Sequence, residues 1–365
     1  MHNSAFCLAL TFGLSPLVAQ PVSFAPPATY RVGKLPAAVA VGDFNRDGVA
    51  DLAVANNSSA ANSVTILLGN GDGTFRNLAV YKTGPEPSAL AVADFNHDGR
   101  LDLAVGNGGG HTVAILLGNG DGTFHMPRLF DSGFEPFSIG VADFNGDGRL
   151  DLAIANGNNN TVSILLGNGD GTFQKRIVIP VANSPFALAL GDFNHDGHTD
   201  IVTANYSFYV SPGTISVLLG NGDGTFQTPV SYPAGQHPYN VTIVNANYLA
   251  VIDYELHLVR IMHGAGDGSF RLVHSLSVPA NPFAVAAADF NGDGVLDLAT
   301  SNWGADNVSV LLGSGHGNFG PPANFHIGHE PEYFAVGDFN GDGKPDIAAP
   351  LFGADQVAIL LNTTP

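Results

Sequence analysis

Short runs of alternating apolar and polar residues, separated by turn-forming residues, recur along almost the whole chain. In one such unit, runs at residues 88–95, 102–107, 112–117 and 124–130 are separated by segments rich in Gly, Asn and Asp. Alternation with a period of two over runs of this length predicts short β-strands, and no stretch shows the periodicity of a long amphipathic helix. The pattern therefore predicts an all-β protein.

Two motifs repeat at a nearly constant interval. Asp-Phe-Asn-x-Asp-Gly-x-x-Asp occupies residues 43–51, 94–102, 143–151, 192–200, 289–297 and 338–346. Leu-Leu-Gly-Asn-Gly-Asp-Gly-Thr-Phe begins at residues 67, 116, 165 and 218, with weaker copies at 261 and 311. The one double-length gap holds a degenerate unit at about 238–279, with Asn245-Ala246-Asn247 in place of the acidic motif. Seven units of four short strands predict a seven-bladed β-propeller.

The two ends of the chain indicate how the ring closes. The last unit stops after its third predicted strand, at residues 356–361, whereas residues 23–33 match the fourth-strand segment 319–328. We therefore expect the N-terminal strand to complete the last blade, which would remove the open sheet edges that favour aggregation. Residues 20–365 are then a single propeller domain.

The acidic motif places oxygen donors at loop positions 1, 3, 5 and 9, and the residue at position 7 can offer its carbonyl. An all-oxygen shell of this kind suits Ca²⁺ better than Zn²⁺ or Mg²⁺. An EF-hand is excluded, because position 12 never carries a carboxylate. The alternative is that these are ordinary solvated turns, since Asp, Asn and Gly favour turns. That alternative leaves three carboxylates together in each of six loops without a cation, so calcium is the preferred interpretation.

These residues resemble the FG-GAP/VCBS repeats, which build the integrin α-subunit N-terminal propeller and many secreted bacterial proteins. The resemblance implies a seven-bladed propeller holding about six structural Ca²⁺ ions, with none in the degenerate unit. The position-7 residues would bind through their backbone carbonyls. The ligands implied by position are Asp43, Asn45, Asp47, Val49 and Asp51; Asp94, Asn96, Asp98, Arg100 and Asp102; Asp143, Asn145, Asp147, Arg149 and Asp151; Asp192, Asn194, Asp196, His198 and Asp200; Asp289, Asn291, Asp293, Val295 and Asp297; and Asp338, Asn340, Asp342, Lys344 and Asp346.

A further ligand is expected on the propeller face opposite the acidic loops. There the connections from second to third strand are rich in Asn and aromatic residues, which suit sugar hydroxyls and C–H faces. The candidate ligand-binding residues are Tyr206, Tyr209, His237, Asn302 and Trp303. The alternative is that Asn and Gly serve only as turn formers and that the aromatic side chains cover blade edges.

Charge and composition narrow the class of partner. The 365 residues include 13 Lys and Arg against 32 Asp and Glu, a formal charge of −19. So few basic residues argue against a nucleic-acid partner. The only cysteine, Cys7, lies in an apolar stretch at residues 5–19 that is too short to span a membrane. We read residues 1–19 as a signal peptide, which predicts a secreted or cell-surface protein without disulfides.

Three functions are compatible with these features. The first is a non-enzymatic binding or adhesion module for an extracellular protein or glycan, with no catalytic residue. The second is a carbohydrate-binding lectin that uses loop or inter-blade sites. The third, an enzyme acting on polysaccharide or its ancillary domain, is disfavoured because no Ser-His-Asp order or paired acid and base stands out.

Overall fold

A computed structural model describes residues 21–207 and 212–365. Within these residues, seven four-stranded antiparallel sheets are arranged as the blades of a propeller. The predicted fold class is confirmed. The predicted signal segment and Tyr209 lie outside the described residues.

The first four blades take their strands in chain order, after an N-terminal strand β1 (Ala28–Arg31). Blade 1 comprises β2 (Pro36–Gly42), β3 (Asp51–Asn56), β4 (Ser63–Gly69) and β5 (Phe75–Lys82). Blade 2 comprises β6 (Pro87–Ala93), β7 (Asp102–Asn107), β8 (Thr112–Leu116) and β9 (Arg128–Asp131). Blade 3 comprises β10 (Pro136–Ala142), β11 (Asp151–Asn156), β12 (Thr161–Leu165) and β13 (Ile177–Pro180). Blade 4 comprises β14 (Pro185–Gly191), β15 (Asp200–Asn205), β16 (Gly213–Leu218) and β17 (Val230–Gly235).

The remaining blades follow the same order until the last. Blade 5 comprises β18 (Pro238–Asn245), β19 (Tyr248–Asp253), β20 (Leu258–Gly264) and β21 (Phe270–Ser277). Blade 6 comprises β22 (Pro282–Ala288), β23 (Asp297–Asn302), β24 (Asn307–Leu311) and β27 (Ala323–His326), with a small hairpin of β25 (Gly313–Gly315) and β26 (Asn318–Phe319) before β27. Blade 7 comprises β28 (Ala335–Gly337), β29 (Asp346–Leu351) and β30 (Gln356–Leu360), with β1 as its fourth strand.

The ring closes as the sequence predicts. Strand β1 pairs antiparallel with β30, with Ala28 opposite Ile359 and Arg31 opposite Gln356. Just before β1, Phe24 forms a bridge with Asn362, as Phe124 does with Gly118 inside blade 2. The N-terminal segment therefore supplies both the fourth strand of blade 7 and the aromatic residue that precedes it.

The hydrophobic core is divided among the seams between blades. The second strands, such as β3 and β7, are buried along their whole length, whereas the fourth strands expose most of their residues. Seven buried clusters are formed, and each joins residues of two neighbouring blades, including one that joins blade 7 to blade 1. Burial between blades, more than within any one of them, therefore stabilises the ring.

Both sequence motifs contribute a phenylalanine to these seams. Phe95, from the acidic motif of blade 2, packs edge-to-face on Phe173, from the Gly-Thr-Phe segment of blade 3, with ring centroids 5.7 Å apart. The Gly171 N–H of the same turn donates to the Phe95 carbonyl at 3.2 Å. Equivalent ring pairs join five more seams: Phe44–Phe124, Phe75–Phe339, Phe144–Phe226, Phe193–Phe270 and, with Phe24 from the N-terminal segment, Phe24–Phe290.

Blade 5 departs from the repeat at both ends of its second strand. Its first two strands are joined by a short turn at Asn245, where the Asn247 N–H donates to the Asn245 side chain at 3.0 Å. At the other end, Asp253 is fully buried and accepts hydrogen bonds from Nε and Nη2 of Arg260 at 3.2 and 2.9 Å. The other blades from 1 to 6 have Asn in place of Asp253.

The helices in the described residues are single 3-10 turns of three residues each. They lie at Gly108–Gly110, Gly157–Asn159, Trp303–Ala305 and Phe352–Ala354, between the second and third strands of their blades. None of them could cross a membrane.

Candidate functional site

Each acidic motif forms the connection between the first and second strands of its blade, so the six motifs lie on one face of the propeller. The glycine at position 6 is in the left-handed region in every copy, with φ between 78° and 84°. A side chain would be strained there, which explains why the motif requires glycine at this place.

The first loop shows how the acidic side chains are held. The carboxylate of Asp43 accepts the N–H groups of Asp47 and Gly48 at 3.1 and 2.9 Å. Asn45 accepts the Asp47 N–H at 3.0 Å, and Asp47 in turn accepts the Val49 N–H at 2.9 Å. The backbone N–H groups of the loop therefore hold these side-chain oxygens toward the inside of the loop. The other five loops use closely similar hydrogen bonds.

The position-9 aspartate anchors the loop inside the blade. Asp51 is fully buried, and its two oxygens accept the N–H groups of Phe44 and Gly69, each at 2.9 Å. Burial raises the pKa of Asp51 to about 6, although both hydrogen bonds act in the opposite direction. This residue thus links the acidic loop to the turn that follows the third strand, and the five equivalent aspartates are bound in the same way.

The loops fit a calcium ion by the chemistry of their donors. Each holds three carboxylates and one amide oxygen, the hard ligands that Ca²⁺ prefers. Within residues 21–207 and 212–365, no three acidic or histidine side chains approach one another as closely as ligands of one ion would. Calcium binding therefore stays a prediction, which depends on the donor set and its sixfold recurrence.

The opposite face carries the entrance to the central channel, where the first strand of each blade begins. In blade 3 the strand pairing passes from Pro136 to Ser138 while the partner strand advances by one residue, so that Phe137 sits in a β-bulge. Bulges redirect side chains. The residues that follow the corresponding proline in blades 1 to 7 are Ala37, Ser88, Phe137, Phe186, Tyr239, Phe283 and Glu332.

The aromatic residues among these form a continuous group that we call the axial aromatic cluster. Ring centroids are 4.6 Å apart for Phe137–Phe186, 4.9 Å for Phe186–Tyr239 and 4.7 Å for Tyr239–Phe283. Tyr333 continues the cluster, 5.0 Å from Phe283. Tyr206 and Tyr254 contact Tyr239 at 6.0 and 5.3 Å and complete it. Five consecutive blades thus place aromatic rings at the channel entrance, and blades 1 and 2 place small side chains there.

Glu332 is the acidic residue at this entrance. Only 9% of its surface is exposed, and its carboxyl accepts no hydrogen bond from the described residues, although its oxygens are not fully enclosed. Burial, with a smaller contribution from the charge of Glu330, raises the pKa of Glu332 well above its usual range. Burial, with a smaller contribution from the charge of Glu332, also raises the pKa of Tyr239, Tyr254 and Tyr333.

The structure brings together part of the predicted ligand-binding set. Tyr206 and His237 are neighbours, with ring centroids 5.2 Å apart, at the edge of the axial aromatic cluster. Asn302 is buried, and its amide donates to Asn307 and Ser309 at 2.7 and 2.8 Å, so it joins the strands of blade 6. Trp303 begins a 3-10 turn on the same face, and in the described part of the chain no ring contact joins it to the cluster.

Sequence reasoning missed Glu332 and most of the axial aromatic cluster. The signal was present, because the position after the proline is aromatic in four units and acidic in one. It becomes visible only when that position is compared across the aligned repeats.

Fold and loops together define this protein as a seven-bladed propeller built from repeats with acidic turns. The FG-GAP-like repeat family matches residues 43–105, 94–154, 143–203, 245–300 and 289–349, and the chain belongs to this family. No curated protein matches the sequence.

Solved structures of similar fold perform diverse functions. BBS1N, crystallised in complex with ARL6DN, has a TM-score of 0.67 and 14% identity, with 94% of this chain and 98% of that chain covered. An Agrocybe aegerita lectin that recognises non-reducing terminal N-acetylglucosamine has a TM-score of 0.55 and 20% identity over 81% and 79% of the two chains. The periplasmic gluconolactonase of Pseudomonas aeruginosa has a TM-score of 0.63 and 17% identity over 81% and 86%. Binding proteins and enzymes share this architecture, so the fold alone does not decide whether the chain is catalytic.

Proposed function

We propose that this protein is a secreted, calcium-stabilised binding module that acts without catalysis and takes an extracellular protein or glycan on the face opposite the acidic loops. The observation that carries the proposal is the contrast between the two faces. On one, the side chains of the acidic loops are engaged by their own backbone. On the other, aromatic rings and a buried carboxyl without a partner gather at the channel entrance.

The proposed calcium ions are structural. At about millimolar calcium, a site of about 10⁻⁴ M affinity stabilises the folded state by about 1.4 kcal/mol, so six independent sites would add about 8 kcal/mol. This is comparable to the net stability of a whole domain. We therefore expect excess chelator to lower the melting temperature sharply at neutral pH.

Calcium binding is tested by counting ions as well as by melting. Equilibrium dialysis with metal analysis should find about six ions per chain, and about five in Asp98→Asn. An Asn245→Ala variant is the matched control, because its unit lacks the acidic motif and its ion count should not change. An unchanged melting curve in excess chelator, or no bound calcium, would refute the calcium part of the proposal.

A lectin is the second candidate, favoured by the pairing of Tyr206 with His237 beside the axial aromatic cluster. A glycan array probed in calcium should then show saturable binding that Tyr206→Ala abolishes, whereas Trp303→Ala tests the separate turn of blade 6. Absence of saturable binding to any glycan would leave a protein ligand. Turnover of a polysaccharide or a lactone by the purified chain would overturn the non-enzymatic assignment.

Export is proposed from the apolar stretch at residues 5–19. N-terminal sequencing of the protein from its host should find a chain that begins near residue 20. A cell-associated protein that retains Met1 would contradict export.

A further inference from the structure

The carboxyl of Glu332 lacks a counter-charge. Glu332 is nine-tenths buried, and the charged group that adds to the effect of burial on its pKa, Glu330, has the same sign. Arg260 of blade 5 is paired with Asp253 at 2.9 Å, and no basic side chain forms an ion pair with Glu332 among the described residues. A buried carboxylate without a cation is costly, so the site is built either to keep a proton or to receive a positive charge from outside.

Two tyrosine hydroxyls near Glu332 provide further hydrogen-bond acceptors beside its carboxyl group. The Tyr333 hydroxyl is enclosed and makes no hydrogen bond of normal geometry in the described residues, although the Tyr239 side chain is close enough to interact with it. The Tyr239 ring stacks on that of Tyr333, with centroids 6.5 Å apart and an interplanar angle of 21°, and Tyr333 follows Glu332 directly in the chain. The side chains of Tyr239 and Tyr333 remain partly exposed.

These features select among positively charged ligands. A metal ion needs several anionic or carbonyl oxygens, and only one carboxylate is buried here. A quaternary ammonium needs free aromatic faces, but Phe137 and Phe186 stack on each other at an interplanar angle of 17°. A primary ammonium has three N–H donors, which match the Glu332 carboxylate and the hydroxyls of Tyr333 and Tyr239.

We propose that the channel entrance binds a small aliphatic amine, whose ammonium group pairs with Glu332 and donates to Tyr333 and Tyr239. Its alkyl chain lies along the axial aromatic cluster toward the small side chains of Ala37 and Ser88. The amine is a ligand additional to the protein or glycan of the proposed function, on which this inference rests only for the choice of the ligand-binding face.

The test is calorimetric titration of the full chain in calcium at pH 8, with n-butylamine as the probe and 1-butanol as its neutral counterpart. We expect the amine to bind at least tenfold more tightly than the alcohol. Glu332→Gln should weaken amine binding at least tenfold, and Tyr333→Phe should weaken it by a smaller factor. Glu86→Gln, which changes an exposed glutamate on the same face, should leave the affinity within twofold.

The inference would be overturned by equal binding of amine and alcohol, by full amine affinity in a folded Glu332→Gln variant, or by no heat of binding from the wild type. Tighter binding of a short lysine peptide than of n-butylamine would also overturn it, by assigning the site to a polypeptide side chain. If six calcium ions bind but the amine does not, the amine site is refuted and the proposed function is not. If the amine binds but no calcium does, the calcium part of the proposed function is refuted and the amine site is not.

Discussion

The phenylalanine pairs between blades allow a quantitative test of how the ring is stabilised. Phe173 is 8% exposed and contacts Phe95 and Phe130 edge-to-face, with centroids 5.7 and 5.5 Å apart. Replacing such a side chain with Ala removes its buried surface and leaves a cavity, which together cost about 3–5 kcal/mol. The two edge-to-face contacts favour the middle of that range or above. We expect Phe173→Ala to lower the free energy of unfolding by about 4 kcal/mol.

Blade 6 offers a matched control for this substitution. Phe319 occupies the equivalent position, but its neighbour blade 5 has Ala246 where the others have phenylalanine, and Phe319 is only half-buried. Phe319→Ala should therefore cost about half as much, roughly 2 kcal/mol.

Urea unfolding in saturating calcium measures both variants, and the melting temperature should fall by about 8 °C for Phe173→Ala at about 2 °C per kcal/mol. Equal losses in the two variants would refute the idea that the aromatic pair, rather than simple burial within a blade, stabilises the seam. A loss below about 1 kcal/mol for Phe173→Ala would refute it as well.

Three further predictions follow from buried polar groups. Asp102→Asn, measured in excess chelator, should lower the free energy of unfolding by about 1–3 kcal/mol, because a side-chain amide has one oxygen and cannot accept both backbone N–H groups. Asp98→Asn, which changes an exposed side chain, should leave stability nearly unchanged. Similar losses in the two variants would contradict the anchoring role of Asp102. Arg260→Ser should lower the free energy of unfolding by about 3–5 kcal/mol, because it leaves Asp253 buried without its cation. Adding Asp253→Asn should recover most of this loss, because the double variant carries the Asn and Ser that blade 4 has at the equivalent positions, Asn205 and Ser216. Because burial raises the pKa of Glu332, its contribution to stability is fully present below the unfolded value of about 4.5 and is lost as pH rises toward the folded value. Glu332→Gln should therefore gain stability relative to wild type between pH 5 and 8, and parallel pH profiles of unfolding would contradict this.

The architecture could be predicted from sequence because the information is local and repeated. The acidic motif fixes a turn through side-chain bonds to backbone groups only two to five residues away, and six copies make the repeat length unmistakable. The closure by the N-terminal strand also followed from the chain itself, because residues 23–33 match the segment missing from the last unit. Local chemistry was therefore enough to give seven blades, their strand order and the closed ring.

Which side chains gather at the channel entrance was decided only by the tertiary structure. Phe137, Phe186, Tyr239 and Phe283 are about fifty residues apart in sequence, and they meet because each blade directs the same bulged position toward one axis. Burial likewise distinguished two residues that the sequence had placed in the same predicted ligand-binding set. Asn302 is enclosed within its blade, whereas Tyr206 lies at the entrance. The chain itself determined the turns and strands, because those depend on neighbouring residues. Which side chains share a site follows only from the closed ring, because residues far apart in sequence become neighbours, and become buried, only when the blades pack together.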